Sequence, residues 1–282
     1  MRELRGMPVV TAIAEMMENK IKKLNEKNII PKLAVIRVGE KEDDISYEKG
    51  ILKRFSAVNA AVAVTVLPAD ATQDVLEETV VKFNNDSSVH GILLFRPLPE
   101  HISQKRLREI ISKDKDVDGM GTLNSAYVYE GNKEAYAPCT AQAVIEMLDF
   151  YNIDLTGKKV TVIGRSLVVG KPLAMLLIDR NATVTVCHTK TLNLAGECRK
   201  SDILIACAGL AKMVGAEFVH REQIIIDVGI NMVDGKLCGD VDYEAVKDAA
   251  AAITPTPGGV GTVTTSVLLK NTVNCAGIQA NF

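Results

Sequence analysis

The run Val160-Thr-Val-Ile-Gly-Arg-Ser-Leu-Val-Val-Gly-Lys-Pro172 decides the fold. Four apolar or β-branched residues lead into Gly164, a polar turn follows, and Leu173-Ala-Met-Leu-Leu-Ile-Asp179 then carries helical spacing. The pattern predicts a strand, a tight turn and a helix. Such a turn aims backbone N–H groups out of a helix N-terminus, where a phosphate binds. The glycines, Gly164 and Gly170, are separated by five residues, so the run is not the G-x-G-x-x-G fingerprint. Taken alone it reads either as a dinucleotide site or as an ordinary βα turn.

Downstream the alternation continues. Thr183 to Cys187 reads as a strand, Thr191 to Arg199 as a helix, and Asp202 to Cys207 and Ile224 to Gly229 as strands. Val241 to Ala252 reads as a helix, which completes a Rossmann-like domain. Upstream, Val9 to Asn28 has helical periodicity with a charged outer side. Leu33 to Val38 is a strand ending at Gly39, and a polar loop leads to a helix holding Tyr47, Lys49, Lys53 and Arg54. A strand over Ala61 to Leu67, a helix over Thr72 to Asn84 and a strand over Gly91 to Phe95 follow. The last is stopped by Pro97-Leu-Pro99, which cannot continue a ladder. Strand, helix and strand in turn predict an α/β domain with a mainly parallel sheet. A loop-rich stretch headed by Lys115-Asp-Val-Asp-Gly119 comes next, and a helix over Thr140 to Tyr151 bridges to the Rossmann-like unit. The tail after Thr264 has helical character and is expected to return to the first domain.

Composition narrows the function. The 282 residues suffice for two domains with real cores, and 47% hydrophobic against 24% charged residues is a globular balance. A net charge of −2 and only 4% aromatic residues argue against a nucleic-acid surface or a base-stacking platform. The six cysteines have no C-x-x-C pairing and no histidine at ligand spacing, which predicts reduced thiols in a cytosolic protein and no metal site. The N-terminus lacks an apolar signal core, and no apolar run approaches the ~18 residues of a membrane span.

Ligands of open parallel sheets gather outside the carboxyl ends of the strands. The first domain places Asp44, Tyr47, Arg96 and Asp118 there, and the second places Arg165, Ser166, His188 and Thr189. Pro255-Thr-Pro-Gly-Gly-Val-Gly261 is too rich in glycine and proline for regular structure; it is either a plain turn or a backbone wall for a flat ligand. The second Rossmann strand ends Cys187-His-Thr-Lys190, without the acid that binds a ribose 2′-hydroxyl in NAD sites. Arg165 and Lys190 either meet the 2′-phosphate of NADP or are solvated surface cations; the pattern leans to NADP and leaves NAD open. His188 belongs to that cofactor-side turn rather than to a catalytic group, and His90, His101 and His220 read as surface residues. No G-x-S-x-G elbow and no Walker loop supports a hydrolase or kinase of those types.

Seven motifs occur in one chain: Pro97–Pro99, Lys115–Gly119, G-R-S-x-x-V-G-x-P at Gly164–Pro172, and C-H-T-K-T at Cys187–Thr191 are four of them. D-V-G-I-N at Asp227–Asn231, G-D-V at Gly239–Val241 and T-P-x-P-G-G-V-G at Thr254–Gly261 complete the set. Over essentially its whole length the chain resembles the bifunctional methylenetetrahydrofolate dehydrogenase/methenyltetrahydrofolate cyclohydrolase family. The resemblance implies two α/β domains with a cleft between them: a folate-binding catalytic domain over 1–139 and 268–282, and an NAD(P)-binding domain over 140–267. It implies a cytoplasmic homodimer acting on tetrahydrofolate derivatives, with no nucleic-acid or membrane partner. One step would oxidise 5,10-methylenetetrahydrofolate with NADP; the second would hydrate the methenyl cation to 10-formyltetrahydrofolate. By resemblance Gly164, Arg165, Ser166, Thr189 and Ile230 contact the cofactor, with Thr189 where the family commonly has serine. Tyr47 and Asp118 match the family's catalytic-site tyrosine and aspartate, which stack on the folate ring system and pair with the donor edge of the pterin. Leu98, Pro257 and Gly258 join them as substrate-binding positions.

The departures from the family cluster at the chemistry. Counted without gaps from Val38-Gly39, the active-site lysine four residues after the tyrosine is Ile51. Lys49 and Lys53 point off that helix face at ~100° per residue, and Arg54, on the right face, does not give up its proton. The family's glutamine and leucine before the P-L-P are Phe95 and Arg96, its serine is Asp44, and its P-C-T-P-x-G reads Pro138-Cys-Thr-Ala-Gln-Ala143. Water attack needs proton transfer, which neither Ile51 nor Phe95 offers, whereas hydride transfer needs chiefly placement. The expectation is a dehydrogenase with weak or absent cyclohydrolase activity. The alternatives are a non-catalytic dinucleotide-binding paralogue, which would bind NADP but not folate, and a shikimate-type dehydrogenase, which would need a polar, lysine-bearing pocket.

Overall fold

The computed structural model describes residues 1–280. The chain opens with a short strand, β1 (Arg2–Glu3), and a helix, α1 (Gly6–Glu26). It divides into two compact units: residues 12–139 with those from 265 onward, and residues 1–11 with 140–264.

In the first unit the elements are β2 (Lys32–Val38), α2 (Glu42–Ser56), β3 (Ala61–Leu67), α3 (Gln73–Asn85), β4 (Gly91–Leu94), α4 (Gln104–Ile110) and α5 (Thr122–Glu130). The three strands form a parallel sheet in the order β3-β2-β4, with Leu33 opposite Gly91 and Lys32 opposite Ala61. As the central strand, β2 buries Leu33, Ala34, Val35 and Ile36 completely. Helix α2 carries Glu42, Asp43 and Asp44 in its first turn and Lys53 and Arg54 in its last, which suits the helix dipole. One face of it buries Ile51 and Phe55. The stretch after Pro99 is more regular than its sequence suggests: α4 and α5 flank a single 3-10 turn at Lys113–Lys115. Helix α5 stops at Gly131, whose φ of 68° makes the left-handed cap that glycine tolerates.

Helix α6 (Cys139–Phe150) leads to the second unit. There follow β5 (Lys159–Ile163), α7 (Gly170–Asp179), β6 (Thr183–Cys187), α8 (Leu194–Cys198), β7 (Ile203–Ala206) and β8 (Ile224–Asp227). The chain ends in β9 (Asn231–Val233), β10 (Lys236–Cys238), α9 (Tyr243–Val246), β11 (Ala252–Ile253) and α10 (Val260–Gln279). Six strands make a parallel sheet in the order β1-β11-β8-β7-β5-β6.

Several expectations need correction. The N-terminal residues were expected in the folate-binding domain of 1–139, yet Arg2 and Glu3 pair with Ala252 and Ile253. The Leu4 and Gly6 N–H groups donate to Ile253 and Gly258, so backbone pairing ties this arm to the second unit. From residue 265 onward α10 belongs to the first unit, where Asn271 Nδ2 donates to the Val117 carbonyl at 2.9 Å. The helix expected over Val241 to Ala252 is only α9 and a 3-10 turn, because Ala252 and Ile253 are drawn into the sheet. The helix expected from Thr191 starts at Leu194, with Asn193 at its N-cap. The β9–β10 hairpin was missed, although Asp234-Gly235, at φ 50° and 73°, is the two-residue turn that a tight hairpin favours. His90 is buried rather than on the surface, since its Nδ1 accepts the Lys32 N–H at 3.1 Å.

Candidate functional sites

In the first unit, Tyr47 and Asp118, two of the residues expected at the folate site, each meet a side chain from the end of β4. Tyr47 leaves the middle of α2, and its ring lies 5.5 Å, centroid to centroid, from that of Phe95, which follows β4. The next residue, Arg96, turns its Nη2 to Oδ2 of Asp118 at 2.5 Å. The other carboxylate oxygen, Oδ1, accepts the N–H of Cys139 at 3.3 Å. Burial pushes the Tyr47 phenol well above its ordinary range, Cys139 and Asp118 push the same way, and Arg96 opposes them. The Cys139 thiol is likewise raised, first by burial and then by Asp118. Neither is therefore a base near neutral pH.

The loop that presents Asp118 is built by the two residues before Val117. Lys115 is buried and caps α3, its Nζ donating to the carbonyls of Phe83 and Asp86 at 3.0 and 2.6 Å. Asp116, fully buried, accepts from the N–H groups of Met120 and Gly121 and from Asn124 Nδ2. Gly119 sits at φ 58°, where an added Cβ would lie 2.2 Å from the Tyr136 carbonyl, so only glycine fits. Leu98 is half-buried against the core of this unit, and Lys41 Nζ reaches the Pro97 carbonyl at 3.2 Å.

Ile51, one turn beyond Tyr47, is fully buried, whereas Lys49 and Lys53 are exposed. Arg54 is half-buried; burial lowers its pKa, and its Nε lacks a hydrogen-bond partner among the described residues. Burial raises the Asp44 carboxyl, against the opposing pull of Lys41 and Arg37.

In the second unit β5 is followed by Gly164, at φ 134°, where a Cβ would meet the Cys207 carbonyl at 2.4 Å. A Cβ on Gly170 would meet the Gly164 carbonyl at 2.2 Å, so the two glycines close the turn that starts α7. Ser166 Oγ accepts the Val169 N–H at 3.1 Å, and Arg165 and Ser166 stand exposed. Beside them the β6 turn is held by Thr191 Oγ1, which accepts the His188 N–H, and by His188 Nδ1, which accepts that of Lys190. His188 thus shapes the turn that carries exposed Thr189 and Lys190. An open turn at the head of a ten-residue helix, with Arg165 and Lys190 exposed, fits a dinucleotide phosphate.

Ile230, Pro257 and Gly258 come together around a cavity of about 190 Å³, which Gly229, Thr256 and Gly261 also line. A larger cavity of about 560 Å³, under the β9–β10 hairpin, holds none of the expected site residues. The sequence reading gave no role to Asp227 and Asp240, though both lie in quoted motifs. Asp240, fully buried, accepts from the N–H groups of Ala208, Gly209 and Leu210 and from Asn231 Nδ2. Asp227 accepts from Gly229, Asp240 and Val241. Among the described residues no cluster of histidine, cysteine and carboxylates could hold a metal, and no helix is long and apolar enough to cross a membrane.

Residues 4–118 match the catalytic-domain model of tetrahydrofolate dehydrogenase/cyclohydrolase, and residues 138–280 match its NAD(P)-binding domain model. The bifunctional protein FolD of Clostridioides difficile is 47% identical over 279 residues, 99% of this chain and 97% of that protein. The bifunctional FolD enzyme of Campylobacter jejuni superposes with a TM-score of 0.96 at 39% identity, covering 99% of both chains. The Trypanosoma brucei dehydrogenase-cyclohydrolase, solved with NADP cofactor and inhibitor, gives 0.94 at 34% identity, covering 99% of this chain and 98% of that one.

Proposed function

Since this chain belongs to the tetrahydrofolate dehydrogenase/cyclohydrolase family, we propose that it oxidises 5,10-methylenetetrahydrofolate to the methenyl compound with NADP as hydride acceptor. The observation that carries the reading is the convergence of Tyr47, Phe95, Arg96 and Asp118 in the catalytic-domain unit. Tyr47, and Phe95 beside it, offer an aromatic surface for the folate ring system, and Asp118 an acceptor for its donor edge. In the other unit, Gly164, Arg165, Ser166, Thr189 and Ile230 are the positions that would hold NADP, while Pro257 and Gly258, which line a cavity with Ile230, would be a backbone wall for the substrate. Bound NADP supplies the hydride acceptor, and the chain's own residues orient the substrate and exclude water. The absence of an acid at the end of β6, and the exposed Arg165 and Lys190, favour NADP over NAD. The chain works in the cytoplasm as a homodimer on this reading, as the resemblance implies.

The second family activity is weak or absent on the same reading. The position of the family's lysine is a fully buried isoleucine, and Phe95 is buried against Tyr47 where the family has glutamine. With the Tyr47 phenol raised far above neutrality, none of these three groups takes a proton from water near pH 7. The relatives named bifunctional are the contrary consideration, and the test must therefore read both steps. Purified protein is assayed for NADP- and NAD-dependent oxidation of 5,10-methylenetetrahydrofolate, and separately for accelerated decay of supplied methenyltetrahydrofolate. Oxidation with NADP and no acceleration is expected. Ordinary cyclohydrolase turnover would overturn the single-activity reading, and NADP binding without folate binding would leave a non-catalytic paralogue.

A further inference from the structure

Arg96 is placed oddly for a structural residue. Its side chain retains 13% of its exposure and that of Asp118 16%, so the pair is largely desolvated yet still open to a ligand. Replacing such a pair by apolar residues is often neutral or stabilising, so folding alone gives little reason for it. By resemblance the family has leucine at this position. The contact with Asp118 uses Nη2, one corner of a guanidinium that carries five donors in a plane. The two side chains thus set acceptor oxygens and a donor fork side by side, next to the Tyr47 and Phe95 rings.

We propose that Arg96 is a specificity-determining residue that, paired with Asp118, selects 4-oxo over 4-amino reduced pterins. The inference rests on the reading of Asp118 as the partner of the pterin's donor edge. On a 2-amino-4-oxo pterin the 2-amino group and N3–H are donors, and the adjacent C4 carbonyl is an acceptor. Asp118 answers the first two and Arg96 the third. A 4-amino analogue fails in two ways. It presents an amino group to a guanidinium that can only donate. It is also more basic and favours a lone carboxylate, whereas the charge of Asp118 is already balanced by Arg96.

The test is the ratio of dissociation constants for 4-amino-4-deoxytetrahydrofolate and tetrahydrofolate, measured by calorimetry on the full chain, the Arg96→Leu variant and the Arg96→Lys variant. The unaltered protein is expected to prefer the 4-oxo ligand by roughly tenfold or more, the scale of one hydrogen bond to a charged group. Arg96→Leu is expected to lose that preference, and Arg96→Lys, which keeps charge but not the planar fork, to fall between. A ratio unchanged in Arg96→Leu, with both ligands weakened alike, would show a merely structural residue and overturn the proposal. So would the absence of any preference in the unaltered protein. If Arg96→Leu does not fold, Arg96→Lys decides by the same ratio: an unaltered preference overturns the proposal and a reduced one supports it. If tetrahydrofolate does not bind the unaltered protein at all, the folate reading fails first, and the proposal with it.

Discussion

The N–H of Asp240 donates to Oδ1 of Asp227 at 3.0 Å, joining two buried carboxylates that otherwise accept from separate loops. Asp240 holds residues 208–210 and Asn231, and Asp227 holds Gly229 and Val241. The segment that carries Ile230 is thus pinned from both ends. Asp240→Ala leaves three backbone donors without their acceptor, and a cost of roughly 3 kcal/mol or more is expected. The urea midpoint should fall, and NADP affinity should weaken several-fold in the variant that still folds. An unaltered midpoint would remove the clamp from the account.

Asp227 also sets a pH dependence. Burial raises its carboxyl from 3.8 to about 6, against the three N–H groups that favour the charged form. The folded value lies above the unfolded one, so the native chain retains a proton that the unfolded chain releases across that window. The stability from this group is full below 3.8 and is lost as the pH rises through about 6. A shift of that size corresponds to about 3 kcal/mol. Denaturant titrations from pH 4 to 7 should show the unaltered protein losing stability relative to Asp227→Asn. Asp44 and Asp116, which burial also raises, are common to both proteins and drop out of the difference. A difference that stays flat over this range would show that Asp227 does not titrate there.

Most of the sheet framework was legible because parallel strands write themselves as apolar and β-branched runs: even the partly exposed edge strands Ala61–Leu67 and Thr183–Cys187 end where their sequence says they should. What was not legible depends on partners distant in sequence. Arg2 and Glu3 carry no strand signal of their own and become a strand only because Ala252 and Ile253 offer an edge. The tyrosine and aspartate of the first unit were named from motifs, but the Arg96–Asp118 bond joins positions twenty-two residues apart, on either side of α4, and no local pattern marks them as partners. Asp240 was hidden because nothing in Gly239-Asp-Val241 tells of its partners, and only the four donors around it explain its complete burial.

On the NADP reading, cofactor choice is expected to turn on two exposed cations. Arg165 follows the glycine of the first turn, and the Lys190 N–H is fixed by His188 Nδ1 at 3.1 Å. Both should contribute to a phosphate and little to a hydroxyl. Arg165→Ala is expected to raise KM for NADP by about tenfold and KM for NAD much less, the scale of one charged hydrogen bond. Because both groups are exposed, the NADP preference should also shrink as salt is raised. Steady-state kinetics with both cofactors at two ionic strengths measures this. Equal effects on both cofactors would move the 2′-phosphate contact elsewhere.

Ile51→Lys tests whether one side chain separates the two family activities. The site has no solvent exposure, and an ammonium there has lost its water. A few kcal/mol of stability should go with it, readable as a lower urea midpoint, whereas Ile51→Met, which roughly conserves volume, should cost less than about 1.5 kcal/mol. The same burial drives a lysine's pKa down towards neutrality, so the variant would place an amine able to exchange protons one turn from Tyr47. Accelerated decay of methenyltetrahydrofolate is therefore expected in Ile51→Lys and not in Ile51→Met, with oxidation of the methylene compound retained in both. If the lysine variant folds and gives no acceleration, Phe95 becomes the next position to alter, because its ring lies against Tyr47 where a polar group would be needed to hold the attacking water. If the unaltered protein already accelerates the decay as fast as the lysine variant, the buried isoleucine does not limit hydration, and Asp44, with its raised carboxyl near the start of α2, is the base to remove next.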